Sequence, residues 1–111
     1  MGLLWLTAFA WTLAIELPIY TYLVGGYFRR WWGVVVVAIG INLVTHPMLW
    51  FVFPRLEPRW LYLVAGETTV ILIEAVLLAI AIRRPLHALG AAIAANFASI
   101  AGGVILWWIV L

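Results

Sequence analysis

The chain contains no cysteine and no lysine, and only 9% of its 111 residues are charged. Without cysteine it can form no disulfide, no thiolate metal site and no thiol nucleophile. Its six basic residues are all arginine, grouped as Arg29-Arg30, Arg55 with Arg59, and Arg83-Arg84. Arginine pairs set between apolar runs read as membrane-flanking anchors. A net charge of +2 carries no nucleic-acid signal. Ser99 is the only serine and lies in no nucleophile-elbow pattern, which argues against a serine hydrolase. Phosphate-binding glycine loops are missing, as are His-x-x-x-His and Glu-x-x-His spacings. One histidine with three glutamates matches a metal set in composition alone, so no metal or cofactor is assigned. No charged tail or low-complexity linker is present, and the N-terminal segment lacks the positive region of a signal peptide. That segment is read as retained.

What the chain has in excess is apolar surface. It is 68% hydrophobic, with a mean hydropathy of +1.21. Soluble domains are about 45–50% apolar and about 25% charged. A domain this small has too much surface for its volume to hide such a composition from water. The expected solvent is lipid, and the expected class is an all-α integral membrane protein.

Four apolar runs carry this expectation: 3–24, 33–53, 60–82 and 87–111. Each is long enough to cross about 30 Å of hydrocarbon at 1.5 Å per residue. The connections are short, so consecutive helices should lie antiparallel, giving a four-transmembrane-helix bundle in a single domain. Trp31, Trp32 and Trp60 flank arginine clusters, and Trp107-Trp108 lie near the last helix end. These are aromatic-belt positions. Trp11 and Trp50 sit deeper and are not explained as anchors. The first and third connections hold four arginines and the second holds two plus Glu57. The positive-inside rule then places both termini outside a bacterial cytoplasmic membrane.

The two halves of the chain echo each other. Arg29-Arg30, Ala38-Ile39, Asn42 and Thr45 are matched by Arg83-Arg84, Ala92-Ile93, Asn96 and Ser99 at a constant offset of 54. Ile15-Glu16 aligns with Ile73-Glu74 once the first connection is allowed four more residues. The echo predicts two pseudo-repeated helical hairpins. Two helices per repeat give both copies the same orientation, so the pseudo-twofold axis would run along the membrane normal.

Polar residues inside the runs are the candidate site. Glu16, Asn42, Glu74 and Asn96 all count to a similar depth from the arginine pairs. A charged side chain at the middle of a membrane helix costs about 2.5–3.5 kcal/mol even on insertion scales. Three glutamates, Glu16, Glu67 and Glu74, would therefore strain a fold stabilised by about 5–15 kcal/mol unless they face partners. Helical spacing supplies those faces. Glu67 and Glu74 are seven apart; Asn42, Thr45 and His46 share a face; Asn96, Ser99 and Gly103 share another. Thr12, Glu16 and Tyr20 form a fourth stripe. Pro18 and Pro47 remove backbone donors beside this belt, and each disturbs the carbonyl four residues earlier. Gly90, Ala91, Ala94, Ala95, Ala98, Gly102 and Gly103 give the last helix small residues for close packing, within the chain or against a second copy. His87, at the start of that helix, is assigned to the interface.

Carboxyl and imidazole side chains can exchange protons, and histidine does so near neutral pH. The belt of Glu16, Asn42, Thr45, His46, Glu67, Glu74, Asn96 and Ser99 is therefore expected to bind or conduct protons or small cations. Two alternatives stand beside this. The chain could be an accessory subunit of a larger respiratory, photosynthetic or transport complex, its belt acting as interhelical glue. It could also be an intramembrane enzyme acting on a lipid or quinone, although a non-enzymatic role is favoured. Expected partners are the lipid bilayer and either further copies or a larger membrane complex. The pattern Asn-Leu-Val-Thr-His-Pro at 42–47, followed by paired glutamates and Ala-Asn-x-x-Ser, resembles small uncharacterised bacterial four-helix membrane proteins. The resemblance covers most of the chain and implies a fold but no activity.

Overall fold

A computed structural model describes residues 2–110, and the side chains of residues 5–105. The described residues form four α-helices: α1 (Gly2–Val24), α2 (Trp31–Pro47), α3 (Arg59–Ile82) and α4 (Pro85–Val110). All four are long and apolar enough to cross a membrane. The Trp107-Trp108 pair expected at the second interface lies outside the described side chains.

Each helix packs on its sequence neighbour, and α4 closes the ring against α1. This is the arrangement that short connections between antiparallel helices produce. The bundle measures 41 × 25 × 21 Å. Its long dimension is close to the ~40–45 Å of a bilayer with its headgroup regions. Trp31, Val36, Leu72, Val76, Ile80 and Phe97 point outward and are more than half exposed. Such a surface has no favourable contact with water and a favourable one with lipid.

The sequence fixes where the helices stop. A 3-10 turn at Gly25–Tyr27 ends α1. Arg83 ends α3 in the left-handed conformation (φ 57°, ψ 35°), its N–H donating to the Ala79 carbonyl at 2.7 Å. Pro85 then opens α4, a position that needs no intrahelical N–H. The second apolar run departs from expectation. Its α-helix gives way at Pro47 to a π turn, Met48–Val52, closed by Phe53 N–H on the Met48 carbonyl at 2.8 Å. Carbonyls freed near this end are met by side chains. Tyr62 Oη donates to Leu49 O at 2.7 Å, and Arg55 Nη2 donates to Trp50 O at 3.1 Å. By contrast, α1 runs through Pro18 as one helix.

At the end of the bundle carrying the first and third connections, the core is apolar and tight. Tyr20, Val24, Val34, Leu78 and Ala88 are each at most 1% exposed and form one cluster. On α4, Ala88, Ala91, Ala92 and Ala95 are buried, and these methyl-sized side chains let α1 and α3 approach closely. A Cβ on Gly102 would collide with the Ile15 side chain. Gly103, one residue later, has open space around it. Gly90 is exposed and has no neighbour within 4 Å of a Cβ position, so it does not serve the intramolecular contact.

Candidate functional site

The belt closes around one small cavity of about 30 Å³. All eight expected residues line it: Glu16, Asn42, Thr45, His46, Glu67, Glu74, Asn96 and Ser99. Thr12, Leu49 and Val70 complete the wall. The volume is room for about one or two water molecules. Glu16, Asn42, Thr45, Glu74 and Asn96 are each no more than 2% exposed. Every helix contributes, and no arginine lines the cavity.

Glu74 is the carboxyl group of the belt with the most hydrogen bonds. Its Oε1 accepts from Tyr20 Oη at 2.7 Å and from Asn96 Nδ2 at 3.0 Å. Its Oε2 lies 2.9 Å from Thr45 Oγ1. The donors come from α1, α2 and α4, so Glu74 on α3 ties all four helices together. Glu16 has much less. Its Oε1 accepts from Asn42 Nδ2 at 3.3 Å, the Ser99 hydroxyl lies near the carboxyl group, and Oε2 is buried with no well-formed hydrogen bond among the described residues.

Counting hydrogens fixes several orientations. Asn42 Nδ2 faces the Ala38 carbonyl at 3.0 Å and Asn96 Nδ2 faces the Ala92 carbonyl at 2.8 Å. A carbonyl has no hydrogen, so the amide nitrogen must be the atom on that side. Each asparagine thus spends one N–H on its own helix and the other on the glutamate of the preceding helix. Thr45 Oγ1 also lies 3.2 Å from the Ile41 carbonyl. A hydroxyl has one hydrogen. If Thr45 gives it to Ile41, Glu74 Oε2 must carry a proton to complete the other bond. If Thr45 gives it to Glu74, that oxygen is bare.

His46 sits at the edge of the cavity in an aromatic box. Its ring centroid lies 5.5 Å from that of Phe9 in an edge arrangement, and 6.5 Å from those of Trp5 and Trp50. Nε2 is 3.2 Å from Thr12 Oγ1, and Nδ1 is buried without a partner among the described residues. The box explains why Trp50 lies deeper than an interfacial anchor. Trp11 lies against α4, its Nε1 3.3 Å from where a Gly102 Cβ would stand.

Glu67 lies at the boundary of the site. It is half-buried, and no hydrogen bond to it forms among the described residues. It lines the polar cavity and also an open vestibule of about 510 Å³ between α1, α3 and α4. Ser99 and Thr12 are shared in the same way. Ser99 Oγ donates to the Asn96 carbonyl at 3.1 Å.

Two residues outside the expected set have clear roles. Tyr20 and Thr12 share the stripe of Glu16, of which only Glu16 is expected in the site. Their signal is spacing, since both lie four residues from Glu16. Among the described residues no three His, Asp or Glu side chains gather closely enough to hold a metal ion. Comparison of the chain with protein-family models, curated proteins and solved structures gives no match.

Proposed function

We propose that the chain is a polytopic membrane protein whose central cavity binds and exchanges protons or small cations. The observation that carries this reading is Glu16 Oε2: a buried carboxyl oxygen with no well-formed hydrogen bond among the described residues, on a side chain approached by the Ser99 hydroxyl and facing a water-sized cavity with two other glutamates. A purely structural carboxyl group should be fully hydrogen-bonded, because an orphaned buried acceptor costs about 1–3 kcal/mol. In lipid, an intramembrane ionisable group of this kind defaults to a functional site. The arginine count supports an orientation with both termini outside a bacterial cytoplasmic membrane. The matched Glu-Asn pairs support an origin in two hairpin copies.

The test is reconstitution into liposomes with entrapped pH-sensitive and cation-sensitive dyes. Wild-type protein should move protons or a small cation, and Glu16→Gln and Glu74→Gln should each stop the signal. Wild-type vesicles that behave like empty ones would sink the reading.

One observation favours a second reading. Glu74 is satisfied from three helices, as interhelical glue would be, and that suits an accessory subunit of a larger membrane complex. Such a subunit should purify with larger partners and show no flux alone. The inner cavity has no space for a quinone ring or a lipid ester, so nothing about it favours an enzyme of those substrates.

A further inference from the structure

The polar cavity shares Thr12, Glu67 and Ser99 with the vestibule on one side and is flanked by a tight apolar cluster toward the other end of the bundle. The vestibule runs from Arg59, at the start of α3, to Glu67 and Ser99 at its floor. Leu63, Gly103 and Val104 form its walls. It therefore opens at the end where α3 begins and α4 finishes. Toward the opposite end stand Tyr20, Val24, Val34 and Leu78, each 1% exposed and packed in one cluster. A groove near that opposite end is lined by Leu23, Leu86, His87, Gly90, Ala91 and Ala94, none of which lines the cavity.

The two hairpins explain why one flank is open. Glu67 lies seven residues before Glu74, and Phe9 lies seven before Glu16. His46 lies four after Asn42, and Ile100 lies four after Asn96. In the first hairpin Phe9 and His46 pack ring against ring, with Trp5 and Trp50 beside them. In the second, Glu67 and Ile100 stand in the vestibule wall instead. Equivalent positions are thus filled by aromatic rings on one flank and left open beside a carboxyl group on the other.

We infer that, in the conformation described, Glu67 is the gateway through which protons, delivered by vestibule water, reach the buried Glu16 and Glu74 from the Arg59 end, so that passage across the membrane needs a second conformation in which the apolar cluster at the other end parts. This rests on the function proposed above and narrows it to the proton. A metal cation would have to shed its hydration shell to enter about 30 Å³, and among the described residues no three carboxyl or imidazole groups come close enough together to replace the shell. A proton needs only hydrogen-bonded carriers. It leaves a hydronium ion in the vestibule, rests on a Glu67 oxygen, and passes through cavity water to Glu16 Oε2. Water remains behind, and no other bond changes.

The natural absence of cysteine makes the route directly readable. Single cysteines at Leu63 and Gly103 probe the vestibule, at Val34 and Leu78 the seal, and at Val76 the outward apolar face. Glu57→Cys and Arg30→Cys mark the two ends. In vesicles of defined sidedness, a charged, membrane-impermeant thiol reagent should label Leu63→Cys and Gly103→Cys from the Glu57 end at least tenfold faster than Val76→Cys. Val34→Cys and Leu78→Cys should resist it from the Arg30 end. Vestibule labelling no faster than at Val76 would mean that lipid fills the groove, and would overturn the route. Seal positions labelled as fast as Arg30→Cys would overturn the one-sidedness. Glu67→Gln should slow proton uptake at least tenfold, and an unchanged rate removes Glu67 from the path. If the labelling pattern holds while wild-type vesicles take up no protons, the transport reading fails and the proton assignment with it. If proton uptake is normal while labelling is uniform, only the route fails.

Discussion

The α1–α2 and α3–α4 hairpins use the same device with different results. In each, an asparagine bonds its own helix four residues back and the glutamate of the preceding helix. The second pair is tighter, at 3.0 Å against 3.3 Å. It is also reinforced from outside, since Tyr20 and Thr45 of the first hairpin donate to Glu74. From the second hairpin only the Ser99 hydroxyl comes near Glu16. The position matching Tyr20, four residues after Glu74, is Leu78, which has no donor. The residue matching Thr45 is Ser99, whose hydroxyl comes near Glu16 but makes its bond of 3.1 Å to the Asn96 carbonyl on its own helix. Two substitutions thus separate a fully hydrogen-bonded carboxyl group from one with an oxygen to spare.

The largest expected break in this comparison is Glu74→Ala against Glu16→Ala. The first strands three buried donors and should cost about 3 kcal/mol; the second strands one and should cost about 1 kcal/mol. Thermal or denaturant unfolding in detergent would measure both, and equal losses would erase the distinction between the carboxyl groups. Next is Gly102→Val, whose added atoms meet Ile15 and should cost about 2 kcal/mol, whereas Gly103→Ala should lie within about 0.5 kcal/mol of wild type. Tyr20→Phe removes one of the Glu74 donors and should cost about 1 kcal/mol. The smallest contrast is Asn96→Ala against Asn42→Ala. The shorter bonds of Asn96 should make it the costlier loss by about 0.5 kcal/mol. A double-mutant cycle with each glutamate would show whether the difference lies in those bonds.

The all-α class and four helices of membrane-crossing length were legible in the sequence, and the polar residues it singled out line one cavity. Apolar runs bounded by arginine pairs have few physical alternatives, and rare polar residues at helical spacing must share a face. Pairing within the belt was less legible. Tyr20 reaches Glu74 across the bundle, and spacing along one helix says nothing about which neighbouring helix a side chain meets. The π turn was also hidden. Pro47 announces a lost donor, but how the chain absorbs the loss depends on Tyr62 and Arg55, which arrive from later segments. The vestibule depends on what is missing from the second hairpin, where Ile100 stands in place of a histidine. Periodicity carries no signal for an unfilled space.

The single hydrogen of Thr45 links charge to mechanics. While Glu74 is bare, that hydrogen is drawn across to α3. When Glu74 Oε2 holds a proton, the hydroxyl is released to the Ile41 carbonyl on its own helix. A threonine bonded to the carbonyl one turn back tends to bend the helix. Here the bend would fall two residues before Pro47, immediately ahead of the π turn, where α2 is least braced by its own backbone. Filling the site would thereby act as leverage on the π turn that carries Trp50. The Ile41 carbonyl is the strain gauge: its carbon-13 shift should follow the charge on Glu74 in wild-type protein and stay fixed in Thr45→Val.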